Sequence, residues 1–534
     1  MKRYKYLFLA LIPMVLVTSC KKSAFVEANI NPSTLTAVDP GAQFLFASTA
    51  YANSFEYFYD YYRAIMPWMQ MTTSGGGNSP NFTNEGGNFN YRYSNFYGNV
   101  GLALSDIPHL ISNMTTAQQA QRIDENAIAT IYKAYYAFYV SDINGSIPYS
   151  QAFEARYGGT LTPTYDTQEN LFDTLDTQIK NAVSTLESTS EASQTLYGAN
   201  DPFYGGATDQ AVAWEKAGNA LRLKIAARLI KRNATGAAAI INQVLGDANQ
   251  MASNADGWVL LVGPSFALQS GNFSPTSFLA SAPMVNFFKT YSDPRLPIYF
   301  RQVTGGGYVG SPTDPDTCSD TYWQSQYTAK DTPISQLQHR LFTPDYNEND
   351  GNGAGTGVGF YPLLTYAEYC FLRADFAFQG LTTDNAATWY TNGVTASIQF
   401  YDARATAAGI AGYTAVTAGQ ISTYLLQTGI AYNPAIGEQQ IACQAYLDFF
   451  RQPSEAWAWW KRTGYPNTST VLAWQPLTNS GTPLVVPRRV ALTLLPTSDA
   501  NYANQQAAYA QMATDPGFGS APGDATGRVW WDMQ

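Results

Sequence analysis

Apolar residues recur at spacings of three and four in at least six stretches of this chain, and that period constrains the fold more than any other feature. Over 118–141 the stripe is Ile123, Ala127, Ile131, Ala134 and Phe138. Over 166–189 it is Leu171, Leu175, Ile179, Val183 and Leu186, with Asp166 and Glu169 at capping-box spacing. A third stripe, Trp214, Ala217, Leu221, Ile225 and Leu229, runs through 211–232, and 235–253 supplies its partner. After a long gap the period returns at 362–380, with Ala367, Phe371, Ala374 and Phe378 on one face, and continues at 385–402 and 437–451. A helix with one apolar stripe must bury it on another helix, and short connections favour antiparallel neighbours. The predicted fold is mostly α, built of helix pairs.

Such pairs resemble tetratricopeptide-type units, although no strict 34-residue repeat is present. Between them lie stretches without helical period. Residues 42–71 are apolar and aromatic and predict a helix ending near Pro67, its crowded tyrosines serving packing. The next segment, "TTSGGGNSPNFTNEGGNFNYRYSNFYGN", is too rich in Gly and Asn for a regular element and too aromatic for a plain linker. Residues 255–360 form a second irregular insertion, broken by a short helical stretch near 284–290. Long ordered loops on a helical scaffold are where binding residues concentrate.

The amino terminus is a different kind of signal. Lys2, Arg3 and Lys5 precede an apolar run, Tyr6 to Val17, that is too short for a membrane span and closes on Leu16-Val17-Thr18-Ser19-Cys20. The ending looks like a bacterial lipobox, so residues 1–19 are expected to be removed and Cys20 to be lipidated. Several acyl chains on one cysteine anchor a protein durably, each buried methylene contributing about 0.8 kcal/mol. Residues 20–41 then read as an extended tether. Lys21 and Lys22 follow the cysteine.

Loss of Lys2, Arg3 and Lys5 takes the formal charge from −10 to −13, which argues against a nucleic-acid partner. Only His109 and His339 are present, too few for a histidine metal site or triad. Cys318, Cys370 and Cys443 lie too far apart for a disulfide framework or a zinc pattern. They read as buried free thiols, with one bridge as the alternative. The 37 tyrosines and 11 tryptophans exceed what a core requires, and polar-tipped aromatics suit surfaces that hold ligands such as sugar rings.

Three constellations carry possible chemistry. Glu368 and Asp375, seven residues apart on a helix, could serve as a glycosidase pair, against the reading that each pairs with a base such as Arg373. "DYNENDG" imitates a calcium loop through Asp345, Asn347 and Asn349, but Asp350 stands where an EF-hand needs glycine and Thr356 where it needs glutamate. A calcium site there, or at Asp314, Asp316 and Asp320, stands against a solvated acidic loop; no other cofactor is expected. "GAGTGVG" lacks the dinucleotide register.

Eight further stretches give the chain a family likeness: "NINPST" after the lipobox, "GSIPYSQAF" with "LTPTYDTQENLFDTL", "WEKAGNALRLKIAARL", "SDPRLPIYF", "LLTYAEYCFLRADFAFQG", "EAWAWWKRTGYP", "PRRVALTLLP" and "RVWWD". In this order they resemble the SusD/RagB family of Bacteroidetes surface lipoproteins, within it the second SusD-like subgroup. The resemblance implies one SusD-like domain over 42–534, with four tetratricopeptide-type helix pairs wrapped by ligand-binding loops. It implies a non-enzymatic role at the outer membrane, facing outward: binding a glycan, or in some members a peptide, and acting as lid to a SusC-like TonB-dependent transporter. A surface glycan hydrolase is the reading from another class. Within the family pattern Trp214, Asn219, Arg222, Arg228, Asp293, Arg295 and Arg373 are expected to serve architecture. The ligand is expected at two loops, 67–97 with Trp68, Asn81, Tyr91 and Tyr93, and 305–327 with Tyr308, Tyr322 and Trp323. Asp320 and Gln324 flank Trp323 with polar groups. The competing reading is that Trp68 and Trp323 merely pin their loops.

Overall fold

A computed structural model describes residues 38–53, 55–84, 90–189, 193–263, 277–329, 333–342 and 358–533. The leader, Cys20, most of the tether and the loop holding Asp345, Asn347 and Asn349 lie outside the described residues.

The first helices are α1 (Pro40–Ala50), α2 (Gly101–Ser112), α3 (Ile123–Asn144), α4 (Gln168–Ser188), α5 (Gln210–Leu229) and α6 (Ala234–Leu245). Each packs on the next, and α5 also meets α9 (Tyr366–Phe378), beyond two shorter helices, α7 (Ala282–Thr290) and α8 (Thr321–Tyr327). Helix α9 packs on α10 (Ala386–Ala407) and α11 (Gly437–Asp448), and α11 on α12 (Pro453–Thr463); α13 (Tyr502–Met512) follows near the C-terminus. The fold is mostly α with tetratricopeptide-like pairs, as the period requires. The stripes of α4 and α5 are buried throughout. Ile123 and Phe378, at helix ends, are the two stripe residues left exposed. Among the described residues no helix is long and apolar enough to cross a membrane.

Three boundaries differ from the sequence reading. The helix expected over 42–71 is two. Asn53 Oδ1 accepts the amides of Phe55 (3.0 Å) and Glu56 (3.1 Å), restarting the chain as a π-helical segment, Glu56–Ile65. Helix α4 is capped by Thr167, which accepts the Asn170 amide at 3.3 Å. Asp166 instead accepts the amides of Tyr149 and Ser150 at 2.9 and 2.8 Å. Residues 362–364, read as helix, belong to a strand.

The strands are short. β1 (Thr72–Ser74) pairs antiparallel with β3 (Phe278–Ala280), and β2 (Trp258–Val262) with β4 (Gly359–Leu364). A hairpin of β5 (Thr478–Asn479) and β6 (Thr482–Pro483) completes them. The β1–β3 ladder ties the first irregular loop to the second insertion.

Buried ion pairs lock the helices together. Arg228 on α5 reaches Asp142 on α3 (3.0 Å) and Glu455 on α12 (2.7 Å). Arg295 and Asp293, both with fully buried side chains, pair at 2.7 Å. Arg222 takes Asp176, and Trp214 donates to Asp201. Asn219 donates to the Asn249 carbonyl at 3.1 Å. Cys318, Cys370 and Cys443 are buried and unbridged.

Candidate functional site

Gly77 is where the two loops meet. Its φ is +81°, and a Cβ there would come 2.7 Å from Tyr327 Cε2 and 2.9 Å from Cys318 Cβ, so only glycine fits. Beside it, Asn78 donates to the Thr313 carbonyl at 2.9 Å, and Thr313 donates to Gln70 at 2.7 Å. A cleft of about 300 Å³ opens here, lined by Phe58, Arg63, Pro67, Asn78, Ser79 and Phe82.

Two groups of aromatic rings belong to these segments. On α8, Tyr322 is 64% exposed and meets half-exposed Trp323 edge-on at 5.3 Å. Trp323 stacks on Tyr327 (6.3 Å, 30°), whose hydroxyl bonds Ser311 at 2.9 Å and so fixes the helix. Phe55, Tyr59 and Tyr91 lie nearly parallel, Tyr91 being 5.6 Å from Phe55 and 5.2 Å from Tyr59. Arg63 joins this platform to the cleft, lying 5.8 Å from the Tyr59 ring.

Of the expected ligand residues, Tyr322 and Trp323 lie on α8 with Tyr327, the ring beside Gly77; Tyr91 stacks with Phe55 and Tyr59; and exposed Asn81 sits between lining residues Ser79 and Phe82. Trp68 does not face solvent. It is 2% exposed, packs on Trp457, and donates its indole N–H to the Phe82 carbonyl at 3.0 Å, so it pins the loop. Tyr93 points elsewhere, packed on Tyr97 at 4.5 Å, its phenol shifted upward by burial and then by Tyr165. Tyr308 lines a separate cavity of about 430 Å³ with Arg301, Gln302 and Tyr413. Gln324 donates to the Cys318 carbonyl at 2.8 Å, which ties it to the segment just before α8. Phe55, Phe58, Tyr59 and Phe82 were not singled out in the sequence. The period-four spacing of Phe55 and Tyr59 was the available signal, hidden in a tyrosine cluster that also packs.

The alternative chemistries fare differently. Glu368 is fully buried against Lys224 at 3.1 Å, and burial pushes its carboxyl up to about 8. Asp375 is fully buried against Arg462 at 2.7 Å. Neither can reach a substrate, and neither pairs with Arg373, which binds Asp384 instead. Asp314 accepts the amides of Thr317 and Thr478, and Asp316 those of Ser480 and Gly481, so both hold the β5–β6 hairpin. Among the described residues no group of three His, Cys, Asp or Glu side chains could hold a metal ion.

Helix pairs of tetratricopeptide type, wrapped by irregular loops that carry aromatic rings, define an α-helical scaffold protein. The chain belongs to the SusD-like_2 family, described as starch-binding associating with outer membrane, whose pattern it matches over residues 32–491. Among solved structures it is similar to a chitin-binding protein (21% identity, 93% of this chain and 100% of that one, TM-score 0.70). It is also similar to a chitin-binding SusD homologue from Flavobacterium johnsoniae (20%, 92% and 97%, TM-score 0.64). A SusD homologue from Bacteroides fragilis matches at 19% identity over 92% of this chain and 100% of that one, TM-score 0.65. At these identities the likeness establishes the fold. No curated protein matches the sequence.

Proposed function

We propose that this protein is an outer-membrane lipoprotein, anchored through Cys20, that binds a glycan between the α8 rings and the Phe55–Tyr59–Tyr91 platform and passes it to a TonB-dependent transporter. The observation that carries the reading is the meeting of the two aromatic loops at Gly77, beside a cleft lined by Phe58, Arg63, Asn78 and Phe82. Pyranose rings offer apolar C–H faces to aromatic planes and hydroxyls to amides. The family description and the chitin-binding relatives support starch-type or chitin-type glycans as ligands. Burial of Glu368 and Asp375 in ion pairs supports binding without hydrolysis.

Calorimetric titration with maltoheptaose and chitohexaose tests the site. One of them is expected to bind, and Trp323→Ala to weaken it by about 1–3 kcal/mol, the range for a binding hot spot, with an unchanged melting temperature. A Trp323→Ala protein that melts normally and binds as tightly as the parent removes this site. A chain that ignores both sugars and retains an oligopeptide carries the peptide reading instead. Delivery is tested separately: the full-length lipoprotein, extracted in mild detergent, should co-purify with a large TonB-dependent barrel.

A further inference from the structure

A second cavity of about 300 Å³ lies between the start of α4 and the C-terminal segment, and none of its lining belongs to the loops of the first site. We propose that it is a separate sugar subsite that takes one neutral pyranose unit, with Trp530 as its platform and Glu169 and Gln511 as its hydroxyl partners. Its size falls at the lower end of the range for ligand pockets, about 300–1,000 Å³. It adjoins a cleft of about 140 Å³ through Ser146, Thr167 and Gln511, so a second ring of the chain has room to continue.

The walls are fixed before any ligand arrives. Gly145 has φ +80°, and a Cβ there would lie 2.4 Å from Met512 Cε, so the floor is closed against anything larger. The far wall is fastened by Trp531, whose backbone N–H donates to Gln168 at 3.1 Å and whose indole donates to the Asp142 carbonyl at 3.1 Å. Arg232 holds Trp530 by bonding its carbonyl and lying 5.5 Å from its ring. A pre-formed wall lowers the ordering cost of binding.

Charge and polarity select the ligand class. The lining carries one cation, Arg528, which shares Asp532 with Arg488, against two carboxylates, Glu169 and Asp515, the second paired with Arg232, so the cavity does not favour an anion. Among the described residues the Glu169 carboxylate and the Gln511 side-chain amide have no hydrogen-bond partner. The Glu169 carboxylate accepts and the Gln511 amide both donates and accepts, which vicinal hydroxyls satisfy and a simple ammonium does not; the Thr514 hydroxyl donates to the Gln511 carbonyl at 2.7 Å and can only accept. Trp530 and Phe518 supply the apolar surface.

The test uses the full chain carrying 5-fluorotryptophan and the substitution Trp323→Ala, which disables the loop site and so separates the two readings. The Trp530 resonance is assigned by its loss in Trp530→Phe. Maltose, cellobiose or N,N′-diacetylchitobiose at millimolar concentration should move it saturably. Glu169→Gln, at an exposed side chain without a partner, should leave the melting temperature unchanged and weaken that binding about tenfold. The proposal is overturned if none of the three sugars moves the resonance, if Glu169→Gln binds as tightly as its parent, or if tetramethylammonium moves it and the sugars do not.

Discussion

Trp68 and Trp323 carry the same side chain in opposite surroundings, and their substitutions should separate accordingly. Trp68 is enclosed and supplies the bond that holds Phe82 in the cleft wall. Trp68→Ala is expected to cost about 3–5 kcal/mol of stability, the usual range for deleting a buried large aromatic, read by urea denaturation. Trp323→Ala should leave the denaturation midpoint in place. A Trp68→Ala protein as stable as the parent would show that this indole is not part of the core. The buried Glu56 gives a pH dependence. Burial, reinforced by Asp60, raises its carboxyl from 4.5 to about 8, although Tyr139 donates to it. The folded state then holds the proton more tightly than the unfolded chain, so this group's contribution to stability falls as pH rises from about 4.5 to about 8. Asp60, raised to about 7 by burial, acts in the same direction. The melting temperature should therefore drop less between about pH 5 and about pH 8 in Glu56→Gln than in the parent; an identical drop in both would refute the assignment.

At the scale of elements, capping decides where helices begin, and neighbouring side chains can exchange that role. Thr167 caps α4 while Asp166 braces the turn at Tyr149 and Ser150. Thr167→Ala should cost about 1 kcal/mol, and Asp166→Ala about 1.5–3 kcal/mol, because it removes hydrogen bonds to a charged group. Chemical denaturation giving the reverse order would restore Asp166 as the cap. The capping-box spacing was legible in the sequence, but the residue that occupies the cap depends on the tertiary turn that claims Asp166. Asn53 shows the same limit. It ends one helix and starts the next within a stretch whose composition reads as one helix, and the π-helical winding that follows changes which tyrosines face outward.

For the whole molecule, the ion pairs on α5 join parts of the chain that are distant in sequence. Arg228→Met leaves Glu455 with Lys224 at 2.9 Å but takes the guanidinium from Asp142, and breaking a buried pair in this way costs about 3–5 kcal/mol. A variant that melts within the parent's error would mean that water or rearrangement compensates Asp142. Anchoring is the other whole-molecule prediction: Cys20 should incorporate a palmitate analogue, and a Cys20→Ala protein still labelled and membrane-bound would exclude it.

The sequence by itself determined the helices and their pairing, because the apolar period is a local property: the stripe of α4, from Leu171 to Leu186, is buried as its spacing requires. It also marked the aromatic loops, since glycine and asparagine exclude regular elements there. Which loops meet was decided only by the tertiary structure. Thr72 pairs with Ala280 across some two hundred residues, and strands of three residues carry no pattern that names their partner. The same holds for each tryptophan. Composition puts Trp68 and Trp323 on equal terms, and only the packing of Trp457 and Phe82 around one of them makes it core and leaves the other to the solvent.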